Sequence, residues 1–230
     1  MLVVSQEVIR TAPWGLMWRV GLGSTLSILD IVTDFNCVIL YLSQEGQTYF
    51  GYATIFCIAA SMISQLMIVY VQHASEGSAI LMKQIPLTLL FLKPGYDAWI
   101  VTSGKKEEKH HVVSPLVEMC IGKAVQIACE SIPSGVLQIY AYITTETRSE
   151  AVLFSIFISC LTTGFSATQI SHDLDTSAGK RRSNPLFYGF VPEGKKERTI
   201  VFVSLIILSS SMMLLKCLSV SLWLDIHSMR

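Results

Sequence analysis

The stretch SILDIVTDFNCVIL, residues 27–40, is apolar enough to lie in a membrane and yet carries Asp30 and Asp34. Four residues apart, the two carboxylates sit one turn apart on a single face of a helix. At the centre of an isolated membrane helix such a group costs roughly 2.5–3.5 kcal/mol on insertion scales, so it faces a protein interior or a wet cavity and finds partners. The stretch therefore reads as one helix of a bundle.

Composition supports that frame: 51% of the residues are hydrophobic, only 15% are charged, and the mean hydropathy is +0.52. An ordinary soluble domain carries roughly 25% charged residues. Five stretches are long enough to cross a hydrocarbon core, which takes about 20 helical residues: 21–43, 50–72, 113–144, 151–170 and 199–224. A shorter apolar stretch, AILMKQIPLTLLFL at 79–92, carries Lys83 and Pro86 and suits a re-entrant or interfacial helix. The opening MLVVSQEVIRTAPWGLMWRV lacks the ordered parts of a cleaved signal peptide, so the first span is expected to serve as its own insertion signal. With no internal repeat or low-complexity tract, the expected fold is all-α: a polytopic transmembrane helical bundle forming a single membrane domain over 1–230, with loops at 93–112 and 171–198.

Acidic and basic residues balance at 17 each, so position carries the information. Alternating the five crossings places Arg10, Arg19, Lys83, Lys93, Lys105, Lys106, Lys109, Lys180, Arg181, Arg182, Lys195, Lys196 and Arg198 on one side, against Arg148 and Arg230 on the other. Retention of basic residues in the cytoplasm then predicts a cytoplasmic N-terminus. The segment KRRSNPLFYGFVPEGKKER, 180–198, has basic clusters flanking a Pro/Gly/aromatic stretch; it is either a plain cytoplasmic loop or one that rests on anionic headgroups. The six cysteines all fall in apolar stretches without CxxC spacing and read as small buried hydrophobes.

Charges inside the spans are the candidate functional residues: Asp30 and Asp34 in the first, Glu118, Lys123 and Glu130 in the third, and Lys216 in the fifth. Lys123 and Glu130 are two turns apart on one face, which Gln126 extends. Asp30, Asp34 and Glu130 set against Lys123 and Lys216 make a nearly balanced network, which either pins the helices together or lines a route for an ion or a lipid headgroup. Pro133 within ACESIPSGVLQIY predicts a kink near Glu130, either to open space beside the charges or to serve packing. The fourth span, rich in Ser and Thr, suits close packing or a polar lining. No phosphate loop, HExxH or nucleophile elbow occurs, so neither covalent catalysis nor a cofactor is expected. His110 and His111, and the His172, Asp173 and Asp175 of SHDLD, read as solvated loop rather than a metal site. The few basic residues lie beside spans, which leaves nucleic-acid binding unsupported.

Taken together, the D-x-x-x-D pair of LDIVTDFNCVILYLSQEGQTYFGYATIFCIAASMISQL, the leucine-rich IPLTLLFLKPGYDAW, the E-S-x-P-S pattern of KAVQIACESIPSGVLQIYAYI, the Ser-rich span and a span with a lone basic residue resemble the XK-related family of membrane proteins. The resemblance implies ATP-independent scrambling of phospholipids such as phosphatidylserine, with headgroups passing along a staircase of intramembrane charges at Asp30, Asp34, Lys123, Glu130 and Lys216. It also implies the plasma membrane, and a partner membrane protein or a homodimer as possible company. Gln126 stands where the family usually has a second glutamate. Family members are longer, so a short or partial member is expected. Two other readings use the same residues: an ion or proton-coupled channel or transporter, and a non-transporting scaffold or partner subunit.

Overall fold

Because hydrocarbon offers no partner for backbone N–H and C=O groups, apolar spans must satisfy them internally, as helices do. The computed structural model describes residues 13–73, 78–90, 92–93, 95–96, 115–145, 148–176, 181–182, 184–192 and 194–228, and every regular element among them is helical. The long elements are α1 (Pro13–Ser43), α2 (Thr48–His73), α3 (Ser78–Leu89), α4 (Pro115–Gln126), α5 (Ile132–Thr144), α6 (Glu150–Thr176) and α7 (Lys195–Ser228). Four of them, α1, α2, α6 and α7, are long and apolar enough to cross a membrane. The remaining expected span, the third at 113–144, is a composite: a π-helical turn at Ile127–Ser131 joins α4 to α5.

That turn is how the chain accommodates Pro133. Proline has no N–H to donate and its ring collides with the carbonyl of the preceding turn. Here the Ile132 N–H reaches back to the Ile127 carbonyl, five residues away, so one extra residue is absorbed and the helix continues. The kink expected near Glu130 is thus a bulge, and it lets Glu130, Ser131 and Ser134 all face inward.

Between α1 and α2 the turn is tight: Gln47 N–H donates to Gln44 O at 3.2 Å, and Gly46 takes φ +82°, which a side chain would resist. α3, with Pro86 inside it, is about 18 Å long at 1.5 Å per residue, too short to cross, and it packs on α2. The chain then brings Lys93 back to Glu118 of α4.

α6 is the central helix, with 67% of its spanning window buried against 11% for α7, and it packs on α1, α5 and α7. It also runs on to Thr176, so residues 171–176, expected in a loop, are helical, and His172 and Asp173 are buried. Outward faces are apolar, with Ile39, Phe56, Phe157 and Ile207 all well exposed, as lipid contact requires. Near the C-terminal end of α1 the interior is apolar too, where Cys37, Tyr41, Phe50, Ile139, Ile156 and Cys217 cluster. All six cysteines are free, five of them buried. His110 and His111 lie outside the described residues.

A buried polar column as candidate functional site

Towards the face at which α1 begins, the interior changes from apolar to polar. From Arg19 to Asp34 α1 rises about 22 Å at 1.5 Å per residue, most of a hydrocarbon core of roughly 30 Å. Buried polar side chains accompany it the whole way.

At the outermost level Arg19 donates to Asp173 Oδ1 of α6 at 2.9 Å, and His172 Nδ1 lies 3.5 Å from the same oxygen. The Phe202 ring of α7 stands 5.7 Å from the Arg19 guanidinium and 5.4 Å from the His172 ring, closing that level with aromatic contacts. Alongside, Glu118 accepts from Lys93 at 3.0 Å with His73 Nε2 at 3.6 Å, a buried cluster that ties α2 and the segment after α3 to α4.

One level deeper, Lys123 Nζ donates to Gln169 Oε1 of α6 at 2.5 Å. Gly23 of α1 makes room for this pair: a Cβ there would stand 2.7 Å from Lys123 Nζ and 2.8 Å from Gln169 Oε1. Next come Asp30, which accepts from Ser131 of the π turn at 3.3 Å, and Glu130, almost completely buried beside it. Deepest is Asp34, which collects three donors: Ser134 at 2.9 Å and Gln138 at 2.7 Å from α5, and Ser155 at 3.2 Å from α6. Three helices converge on that one carboxylate. Beyond it begins the apolar cluster around Tyr41 and Phe50.

The column is not saturated. Among the described residues, Asp30 Oδ1, Glu130 Oε1, Gln126 Nε2, Gln169 Nε2 and Thr168 Oγ1 are buried without a hydrogen-bond partner. Buried polar atoms are rarely left so. A small cavity of about 20 Å³ between α2 and α4, lined by Gln65, Ile68, Glu118, Gly122, Lys123 and Gln126, lies at this level.

Of the residues singled out from sequence, Asp30, Asp34, Lys123, Gln126 and Glu130 therefore share one buried column, and Pro133 shapes the turn that points Glu130 into it. Lys216 does not join them. The inner face of α7 is set by Met213, Cys217 and Ser221, and Lys216 lies about 100° around the helix from Cys217, on the exposed surface. A lysine there extends its stem along the lipid-facing surface towards the interface. The balanced network of acids and two lysines is corrected accordingly: Asp30 and Asp34 are held by hydroxyl and amide donors, and Lys123 is held by an amide.

Sequence reasoning missed Arg19–Asp173, the Lys93–Glu118–His73 cluster, Gln138 and Gln169. Gln138 was findable, because it continues the Glu130–Ser134 spacing by one more turn. The pairs with Asp173 and Lys93 join segments remote in sequence and leave no local signal. Among the described residues there is no group of three His, Cys, Asp or Glu that could hold a metal ion.

A family model described as XK-related protein matches residues 18–186, which takes in α1 to α6 and so every member of the column. No curated protein and no solved structure matches the chain.

Proposed function

This chain belongs to the XK-related family, and from that premise we propose that it moves phospholipids between leaflets without ATP, their headgroups passing along the buried column while the tails remain in lipid. The observation that carries this reading is the unsaturated polar column itself, running most of a membrane's depth inside helices whose outer faces are apolar. A headgroup cannot cross hydrocarbon unaided, but each level of the column offers it partners. Lys123, at the cavity wall, meets the phosphate by a charge-assisted hydrogen bond. Asp30 and Glu130, each with an open carboxylate oxygen, meet the ammonium or serine amine. Phosphatidylserine and the zwitterionic phospholipids are the substrate class.

By the distribution of basic residues, the face at which α1 begins is the cytoplasmic one; family membership favours the plasma membrane over internal membranes as the site of action. Its proposed company is a partner membrane protein or a second copy of the chain.

One observation favours a second reading. Asp34 has its donors already in place, which is what a helix clamp in a non-transporting scaffold subunit needs. Leaflet exchange separates the two. Purified protein is reconstituted in liposomes with headgroup-labelled lipid and an impermeant quencher, alongside Asp30→Asn and Lys123→Gln. Signal loss well past the outer-leaflet half, reduced in both variants, supports lipid passage along the column. Loss that stops at the outer half in the parent protein refutes it and leaves the scaffold reading.

A further inference from the structure

Between α6 and α7, the described residues 184–192 are tied to the end of α6 by a set of hydrogen bonds and present apolar side chains outward. Asp175, at the end of α6, turns its carboxylate onto three successive backbone N–H groups: Gly189 at 2.7 Å and Phe190 at 3.1 Å on Oδ1, and Val191 at 2.9 Å on Oδ2. Arg181 closes the ring by donating to the Asp175 and Val191 carbonyls at 2.7 and 3.3 Å. Gly189 sits at φ +103°, a conformation that lets its amide join its neighbours in facing one anion. Asn184 O accepts from Phe187 and Tyr188 N–H, which folds the intervening turn.

The result is that Leu186, Phe187 and Phe190 are held outward, 94%, 73% and 77% exposed. So much fixed apolar surface at the tip of a tethered loop marks a contact site. Its surroundings are basic: Arg182, Lys195 and Lys196 are exposed and Arg198 is half-exposed, with Glu197 the acid among the described residues of this segment that faces solvent. Because α6 ends and α7 begins here, this segment lies at a membrane surface by construction.

We propose that Arg181, Arg182 and residues 184–192 and 194–198 form a docking platform for anionic phospholipid, with Leu186, Phe187 and Phe190 inserted among the acyl chains and Arg182, Lys195 and Lys196 on the headgroups. Charge complementarity selects this occupant over a neutral bilayer: each basic residue near an anionic surface raises affinity about fivefold. Asp175 acts as the positioning residue that holds the three apolar side chains on one side. Nothing in this depends on whether the column carries lipid.

Phe187→Trp in the full-length chain, placed in nanodiscs of phosphatidylcholine with increasing phosphatidylserine, tests it by emission wavelength and by quenching from bromine-labelled acyl chains, each read as a difference from the parent protein. The added indole is expected to shift to the blue and be quenched as phosphatidylserine rises. With Lys195→Gln and Lys196→Gln added, affinity for the anionic surface is expected to fall about 25-fold, moving half-maximal quenching to higher phosphatidylserine, and Asp175→Asn is expected to weaken the response without removing any basic residue. An indole that stays water-exposed in every lipid overturns the proposal. Equal quenching in neutral and anionic discs, or no change on removing the two lysines, overturns the assignment to anionic lipid.

Discussion

Asp34→Ala is the sharpest perturbation of the column, because α1, α5 and α6 converge on that side chain. Three interhelical hydrogen bonds vanish, and at roughly 0.6 kcal/mol each in a membrane, with a ceiling near 1.7, they amount to about 2 kcal/mol. The donors left behind differ. The Ser134 and Ser155 hydroxyls can turn back to carbonyls one turn earlier, as Ser24 and Ser27 already do at 2.9 and 3.0 Å. Gln138 keeps Ser134 Oγ at 3.0 Å for one amide proton and strands the other, at about 1–3 kcal/mol. The expected total is about 3–5 kcal/mol. Asp34→Asn keeps an oxygen for Gln138 and Ser155 and presents an amide that Ser134 can accept, so it should cost no more than about 1 kcal/mol. Reversible unfolding in mixed detergent micelles reads both, and a cycle with Gln138→Leu should return a coupling of at least about 0.6 kcal/mol. If Asp34→Ala lies within about 1 kcal/mol of the parent, or if Asn costs as much as Ala, the convergence of three helices on Asp34 is not what holds this level together.

Arg19→Gln leaves Asp173 buried without its cation and should cost roughly 3 kcal/mol by the same unfolding measurement, with most of the loss recovered in the double variant with Asp173→Asn. Gly23→Ala pushes a methyl group into the Lys123–Gln169 pair; a loss of about 1–3 kcal/mol and slower leaflet exchange are expected, and unchanged exchange would detach that pair from the route. Lys216→Ala, on the exposed face of α7, should change stability by less than about 0.5 kcal/mol and leave exchange at the parent rate, contrary to the role the sequence suggested.

What could be read in advance, and what could not, follows from the range of the signal. Apolar length and the Asp30/Asp34 spacing are local properties, and they were enough to predict a helical bundle in a membrane with α1 turned inward. The π turn was half legible: Pro133 announces a disturbance, but whether a helix kinks or absorbs a residue depends on which side chains its neighbours need pointed inward. Lys216 misled because a charge in an apolar run looks the same whether it faces the core or snorkels. Only the positions of Met213, Cys217 and Ser221 against α5 and α6 decide the phase of α7. His172 and Asp173 misled in the opposite sense, since a polar cluster at a helix end looks solvated until Arg19 and Phe202 are brought over it.

The arrangement of the column bears on how such a chain avoids leaking. Its cations, Arg19, Lys93 and Lys123, lie nearer the face at which α1 begins, the first two paired with Asp173 and Glu118, and the acids Asp30, Glu130 and Asp34 follow in depth, the last held by three donors. That pairing leaves Lys123, held by an amide, as the cation best placed for a phosphate before the deeper carboxylates are reached. Past Asp34 the way is filled by Tyr41 and Phe50, whose rings lie 5.8 Å apart, with Ile139 and Ile156 packed around them. Polar partners end where that cluster starts, and a headgroup gains nothing by going on until these side chains part. On the proposed reading, lipid passage requires a rearrangement at the far end of α1, where this apolar cluster closes the polar column.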